Sequence, residues 1–165
     1  MCGIIGYCGK KSAAPIVLEG LKRLEYRGYD SAGIASLCDG RLLMKKDVGK
    51  IDEVNQKHNL GSLLGNVAIG HTRWATHGSV TRDNAHPHCD CKREIFVVHN
   101  GIIENHQPLR HRLERKYSFV SETDSEVIPH LIREFMDMGS SLEQAVCQAV
   151  KELRGSYAIL AISAS

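Results

Sequence analysis

A chain of 165 residues is long enough for one domain with a true core and short for two. Hydrophobic residues at 42% and charged residues at 24% are ordinary globular proportions, which excludes a disordered chain. The net charge is only +2, with no lysine–arginine block set among aromatics and no apolar run long enough for a signal peptide or a membrane span, so neither nucleic acid nor membrane is an expected partner.

Met1-Cys2-Gly3 opens the chain. Removal of Met1 leaves a thiol and a free α-amine on the same residue, Cys2. A free α-amine has a pKa of about 8 and a thiol one of about 8.5. One residue then supplies a nucleophile and the base that activates it. Gly3 to Tyr7 reads as a short buried strand, and the competing reading makes Cys2 a small hydrophobe in it. Six cysteines (Cys2, Cys8, Cys38, Cys89, Cys91 and Cys147) without a secretory signal read as reduced thiols of a cytoplasmic protein.

Ser12 is placed to cap a helix reaching about Leu24, with Val17, Leu21 and Leu24 along one face. Glu25 to Gly33 is a polar, glycine-bounded loop. The runs Gly33–Cys38 and Arg41–Lys45 flank Asp39-Gly40, a two-residue hairpin signal. A short helix around Ile51 and Val54 is predicted between Lys50 and Leu60. Val67–His71 and Glu94–His99 read as buried strands, each running into a polar segment of the kind that carries function. Ser79 to Arg93 reads as loop. Helices are predicted over Pro108–Lys116, from about Thr123 to Gly139, and after Ser140-Ser141-Leu142-Glu143, read as a capping box, to about Leu153. Tyr157–Ile162 reads as a buried strand. This element order predicts an α/β (α+β) layered sandwich.

Thiolate attack on an uncharged amide needs donors for the oxyanion and a grip on the substrate. Asn100-Gly101 at a strand end offers a side-chain amide and a backbone N–H, although the same pair is also a common tight turn. The Arg73 guanidinium, in the segment after a core strand, suits a planar carboxylate; a surface ion pair is the plainer reading. Asp124 at a helix start is explained by capping alone. Together, Arg73 and Asp124 match the carboxylate and ammonium of an α-amino acid. His86-Pro87-His88-Cys89-Asp90-Cys91 carries two histidines and two cysteines. Its one-residue spacings and lack of a distant partner pair depart from structural zinc sites, so no metal is expected. His71, His77 and His99 read as hydrogen-bonding or packing residues.

Five blocks, in order, carry a specific resemblance: Cys2-Gly3-Ile4, Glu25 to Gly33, Gly70 to Gly78, His99 to Asn105, and Ser121 to Asp124. The chain resembles the class II glutamine amidotransferases of the N-terminal-nucleophile hydrolase superfamily, within them the glutaminase domain of the glucosamine-6-phosphate synthases. The resemblance covers essentially all of residues 1–165. It implies a four-layer αββα sandwich and hydrolysis of L-glutamine through a glutamyl thioester on Cys2, with no cofactor. By the same resemblance, Asn100 and Gly101 form the oxyanion hole, and Arg73, Thr76 and His77 hold the glutamine carboxylate. Asp124 holds the ammonium, Trp74 gates ammonia, and Arg27 orders the loop over the substrate. Residues 1–165 then make the N-terminal portion of that domain, cut short at the C-terminus. The sugar-phosphate isomerase domain that accepts ammonia is absent, and the full-length enzyme is expected as a homodimer. A glutamine-binding fragment without turnover is the rival expectation.

Overall fold

Two runs in the chain are apolar without alternation, Val67–Ile69 and Ile95–Val98, and a strand can be apolar on both faces only if both are covered. The computed structural model, which describes residues 2–75 and 78–164, shows how each face is covered. The first sheet holds β1 (Gly3–Cys8), β2 (Ser31–Cys38), β3 (Arg41–Val48) and β4 (Val67–Arg73), in the order β1-β4-β2-β3. The second holds β5 (His88–Cys89), β6 (Ile95–Gly101) and β7 (Tyr157–Ser163), in the order β5-β6-β7. Every pairing is antiparallel.

Side chains two apart share a face of a strand, and the packing follows that rule. Ala32, Ile34 and Ala68 turn outward from the first sheet onto α1 (Ala13–Leu24) and α2 (Ile51–His58), meeting Val17, Leu21, Ile51 and Val54. Ala35 and Ile69 turn inward and meet Phe96, Val98 and Ile162 of the second sheet. Ile95 and Val97 turn outward onto α3 (His106–Leu113), α4 (Val127–Asp137) and α5 (Leu142–Glu152). The result is helices, sheet, sheet, helices: the four-layer αββα sandwich. Ile128, Leu131 and Ile132 of α4 are fully buried, each contributing about 1.5–3 kcal/mol by leaving water.

Several local expectations change. Ser12 precedes α1 but makes no side-chain cap bond, and the third helical residue, Pro15, has no N–H to offer it; the Ala13 N–H is bonded to the Gly65 carbonyl. The capping box of α5 is Ser141 with Gln144, one residue later than the expected frame. Helix α3 begins at His106, not Pro108. The stretch 79–93 is not simply loop. It contains β5, and Asn84, His86, His88 and Asp90 are buried within it. Asp90 anchors it by accepting the backbone N–H groups of Glu94 and Ile95 and the Arg133 Nε at 2.7 Å. Strand β7 is half-open along Tyr157–Ala161 rather than buried, because it is the outer strand of its sheet and pairs only with β6. The Asp39-Gly40 hairpin is present, both residues at positive φ (49° and 71°), as a type I′ turn requires.

Candidate active site

The inward face of the sandwich changes character along its length. On β4 it runs Ile69, His71, Arg73; on β6, Phe96, Val98, Asn100; on β1 it reaches Ile4, and Cys2 lies two residues before that. Strand periodicity therefore delivers a thiol, a guanidinium, an imidazole and a carboxamide to one end of an otherwise apolar layer.

Cys2 Sγ sits against the backbone of Trp74, which donates its N–H at 3.3 Å, with the Trp74 carbonyl at 3.5 Å. Burial pushes the thiol pKa up, against the Trp74 N–H that pulls it down. A thiol so placed is protonated at neutral pH and needs a base. Cys2, Arg73, Trp74, Gly101 and Asp124 line one small pocket, together with His86, His99, Thr123 and Ser125. A neighbouring groove also touches Cys2, its lining including Arg27, Asn100, Gly101 and Tyr157.

Arg73 is not in a loop: it is the last residue of β4 and is buried, with Nη1 donating to the Ser79 carbonyl at 3.2 Å. A surface ion pair therefore does not describe it. Nor does Asp124 cap a helix. It opens a single 3-10 turn before α4, and its Oδ2 accepts the Ile103 N–H at 2.8 Å, tying α4 to the end of β6. Asn100-Gly101 is no turn either, since both residues belong to β6 and pair with Ala158 and Tyr157. The Ile102 N–H bonds the Ser156 carbonyl, so by antiparallel alternation the Gly101 N–H points away from β7. Gly101 has φ 121°, and a Cβ there would lie 2.2 Å from the Ser156 carbonyl oxygen, so only glycine presents that N–H. The Asn100 Nδ2 donates to the Cys2 carbonyl at 2.9 Å, and its second N–H is left for another acceptor.

Two further sets of residues shape the site. Asp30 accepts the Ala75 N–H and the Ser31 hydroxyl, pinning the start of the segment after β4. Glu122 accepts from the Ser79 N–H, the Ser79 hydroxyl and Asn84 Nδ2, pinning its far end. Neither role is visible in sequence, because the contacts to Ala75, Ser79 and Asn84 span 38 to 45 positions. His71, His86, His88 and His99 form a buried group in which His71 and His86 stack with centroids 4.0 Å apart. Burial holds the pKa of His71 down to about 3, and holds the other three below the ordinary histidine value. Among the described residues, no group of three or more histidine, cysteine, aspartate or glutamate side chains is placed to hold a metal. Trp74 is half-exposed and stands edge-on to Tyr29 at 5.3 Å. Thr76 and His77 lie outside the described residues.

Residues 71–165 match the glutamine amidotransferase domain family. The isomerizing glutamine–fructose-6-phosphate aminotransferase of Pyrococcus horikoshii is 55% identical over 165 residues, which is 99% of this chain and 28% of that protein. That of Methanothermobacter thermautotrophicus is 56% identical, again over 99% of this chain and 28% of its own length. Among solved structures, the glutamine phosphoribosylpyrophosphate amidotransferase from B. subtilis is 31% identical and superposes with a TM-score of 0.85 over 99% of this chain and 35% of that one.

Proposed function

The chain belongs to the glutamine amidotransferase family, and from that premise we propose that it hydrolyses the side-chain amide of L-glutamine to glutamate and ammonia with Cys2 as the nucleophile. The observation that carries this reading is the meeting, in one pocket, of the Cys2 thiol with Arg73 and Asp124. Their opposite charges match the two ends of an α-amino acid and leave its side chain to reach the sulfur.

With Met1 removed, the Cys2 α-amine takes the thiol proton, and Sγ attacks the amide carbon of glutamine. The oxyanion that forms is met by the Gly101 N–H and the free N–H of Asn100. The C–N bond breaks as the amine returns the proton to the leaving nitrogen, which departs as ammonia and leaves a glutamyl thioester. Water, deprotonated by the same amine, then attacks the thioester; the C–S bond breaks, and glutamate and the thiol are regenerated. Thr76 and His77 join Arg73 at the substrate carboxylate, Trp74 gates ammonia, and Arg27 orders the loop over glutamine.

The chain spans 28% of the length of the curated relatives. We read residues 1–165 as the N-terminal portion of a glutaminase domain in a cytoplasmic, dimeric enzyme. Ammonia then passes to fructose 6-phosphate, which those relatives' name pairs with glutamine, on an isomerase domain outside this chain.

The test is direct. Purified protein given L-glutamine is expected to release glutamate and ammonia in equal amounts, and Cys2→Ala is expected to stop both. Glutamine binding without release contradicts the hydrolytic reading.

A further inference from the structure

Gly33, His71 and Lys46 form one cross-strand row of the first sheet, with Gly33 in the middle: it pairs with His71 of β4 on one side and with Lys46 of β3 on the other. The missing side chain at Gly33 leaves a notch, and the segment 83–87 lies in it. A Cβ on Gly33 would stand 2.2 Å from the His86 carbonyl oxygen and 2.5 Å from the Lys46 Cβ. Within the notch, the His86 ring stacks on His71 at 4.0 Å. On the other side, the Lys46 ammonium donates to the Ala85 carbonyl at 2.6 Å, to Pro87 at 3.1 Å and to Asp83 at 3.2 Å. Two of those carbonyls bracket His86.

An ammonium with three donors, all spent on one backbone segment, is a clamp on that segment. Removing it from water is costly, and packing alone would be served better by an apolar residue. Burial draws the Lys46 pKa down to about 8, so the charge persists at neutral pH. His86 is held in place by nothing else polar, since neither of its ring nitrogens has a hydrogen-bond partner. His71 is the next link. Its Nε2 lies 3.0 Å from both the His99 carbonyl and Asn100 Oδ1. Both are acceptors, so Nε2 carries the proton and donates. That bond fixes which end of the Asn100 carboxamide faces away from Cys2, and so turns Nδ2 toward it.

We infer that Lys46 is a positioning residue for the oxyanion hole: by clamping the segment around His86 in the Gly33 notch, it backs His71 and thereby holds the Asn100 amide with its donors toward Cys2. This rests on the glutaminase reading above. Lys46 touches neither the reacting atoms nor the residues assigned to the charged ends of glutamine. Its loss therefore acts on the transition state, where the oxyanion exists, more than on substrate binding.

The experiment measures glutamine hydrolysis and L-glutamate affinity for the full-length polypeptide and three variants. Glutamate has the same charged ends and no scissile amide. Removing an oxyanion donor outright costs about a hundred- to a thousand-fold in kcat; loosening its support in Lys46→Gln is expected to cost about ten- to a hundred-fold. Glutamate affinity is expected to stay within about threefold, and Lys46→Arg, which keeps charge and donors, to recover most of the loss. Gly33→Ala disturbs the same notch without touching the ammonium and is expected to give the same fall in kcat. Wild-type kcat in either Lys46→Gln or Gly33→Ala overturns the inference and leaves the glutaminase reading standing. An equal loss of glutamate affinity, or no recovery in Lys46→Arg, makes Lys46 a residue of general stability and also overturns it. A wild-type protein that does not turn over glutamine overturns both readings at once.

Discussion

Arg73 and Asp124 are both buried and both already hold a backbone group, Ser79 and Ile103 respectively. Their geometry is therefore set before any substrate arrives, which lowers the cost of binding it. Each charge-assisted contact to a glutamine end is worth about 1.5–3 kcal/mol. Arg73→Ala and Asp124→Asn are each expected to weaken glutamate affinity by roughly ten- to a hundred-fold, measured by calorimetry; wild-type affinity in either contradicts the assignment. At this scale the sequence was legible where a residue's chemistry was unusual for its position. Cys2 after the initiator, an arginine beside a core strand and an aspartate before a helix each stand out. It was not legible where the partner was remote. Nothing near Asn100 in the chain says that His71, 29 positions away, orients its amide, and nothing near Lys46 says that it clamps residues 83–87.

The elements were the easiest part to read, because strand and helix periods are local. Both-face burial of β4 and β6 follows from unbroken apolar runs, and the β2–β3 hairpin from Asp39-Gly40. Helix ends were harder. Ser12 and Ser141 look alike in sequence, yet only Ser141 caps, accepting the Gln144 N–H at 3.3 Å, with the Gln144 side chain returning to the Ser141 N–H at 3.1 Å. The corresponding N3 residue in α1 is Pro15, which has no N–H to donate, and the Ala13 N–H that opens the helix is bonded to the Gly65 carbonyl, a tertiary contact that no local pattern announces. Ser141→Ala is expected to lower stability by about 1 kcal/mol and Ser12→Ala by a few tenths at most, compared in urea unfolding at pH 7.5. Equal losses contradict the distinction. Strand β5 has no sequence signature for the same reason: two residues carry no period, and it is held by Asp90 and Arg133 of α4.

Over the whole molecule, the four buried histidines behind the pocket set the pH range in which the fold is stable. Burial lowers the pKa of each in the folded state, so the unfolded chain binds more protons as pH falls through about 6.5. The sign is therefore a stability that is complete above that value and lost on acidification, by about 1.4 kcal/mol per pH unit for each histidine. Unfolding free energy is expected to fall between pH 6.5 and 5.5, by up to about 1 kcal/mol for each of these histidines that stays neutral in the fold. Equal denaturant midpoints at the two values contradict it. A layered sandwich and much of its core are readable from pattern, and the αββα order from the family resemblance; the histidine group is not, because its members come from β4, β5, β6 and the segment before β5. These histidines back the pocket in which Cys2 is proposed to act through its own α-amine. That amine exists only after Met1 is removed; with Met1 attached the nitrogen is an amide and no base. The decisive measurement is ammonia release from glutamine by protein that begins at Cys2 and by protein that retains Met1, each confirmed by intact mass. The processed form is expected to be faster by about a hundred- to ten-thousand-fold, with both forms equally folded; equal rates would contradict the terminal-nucleophile mechanism.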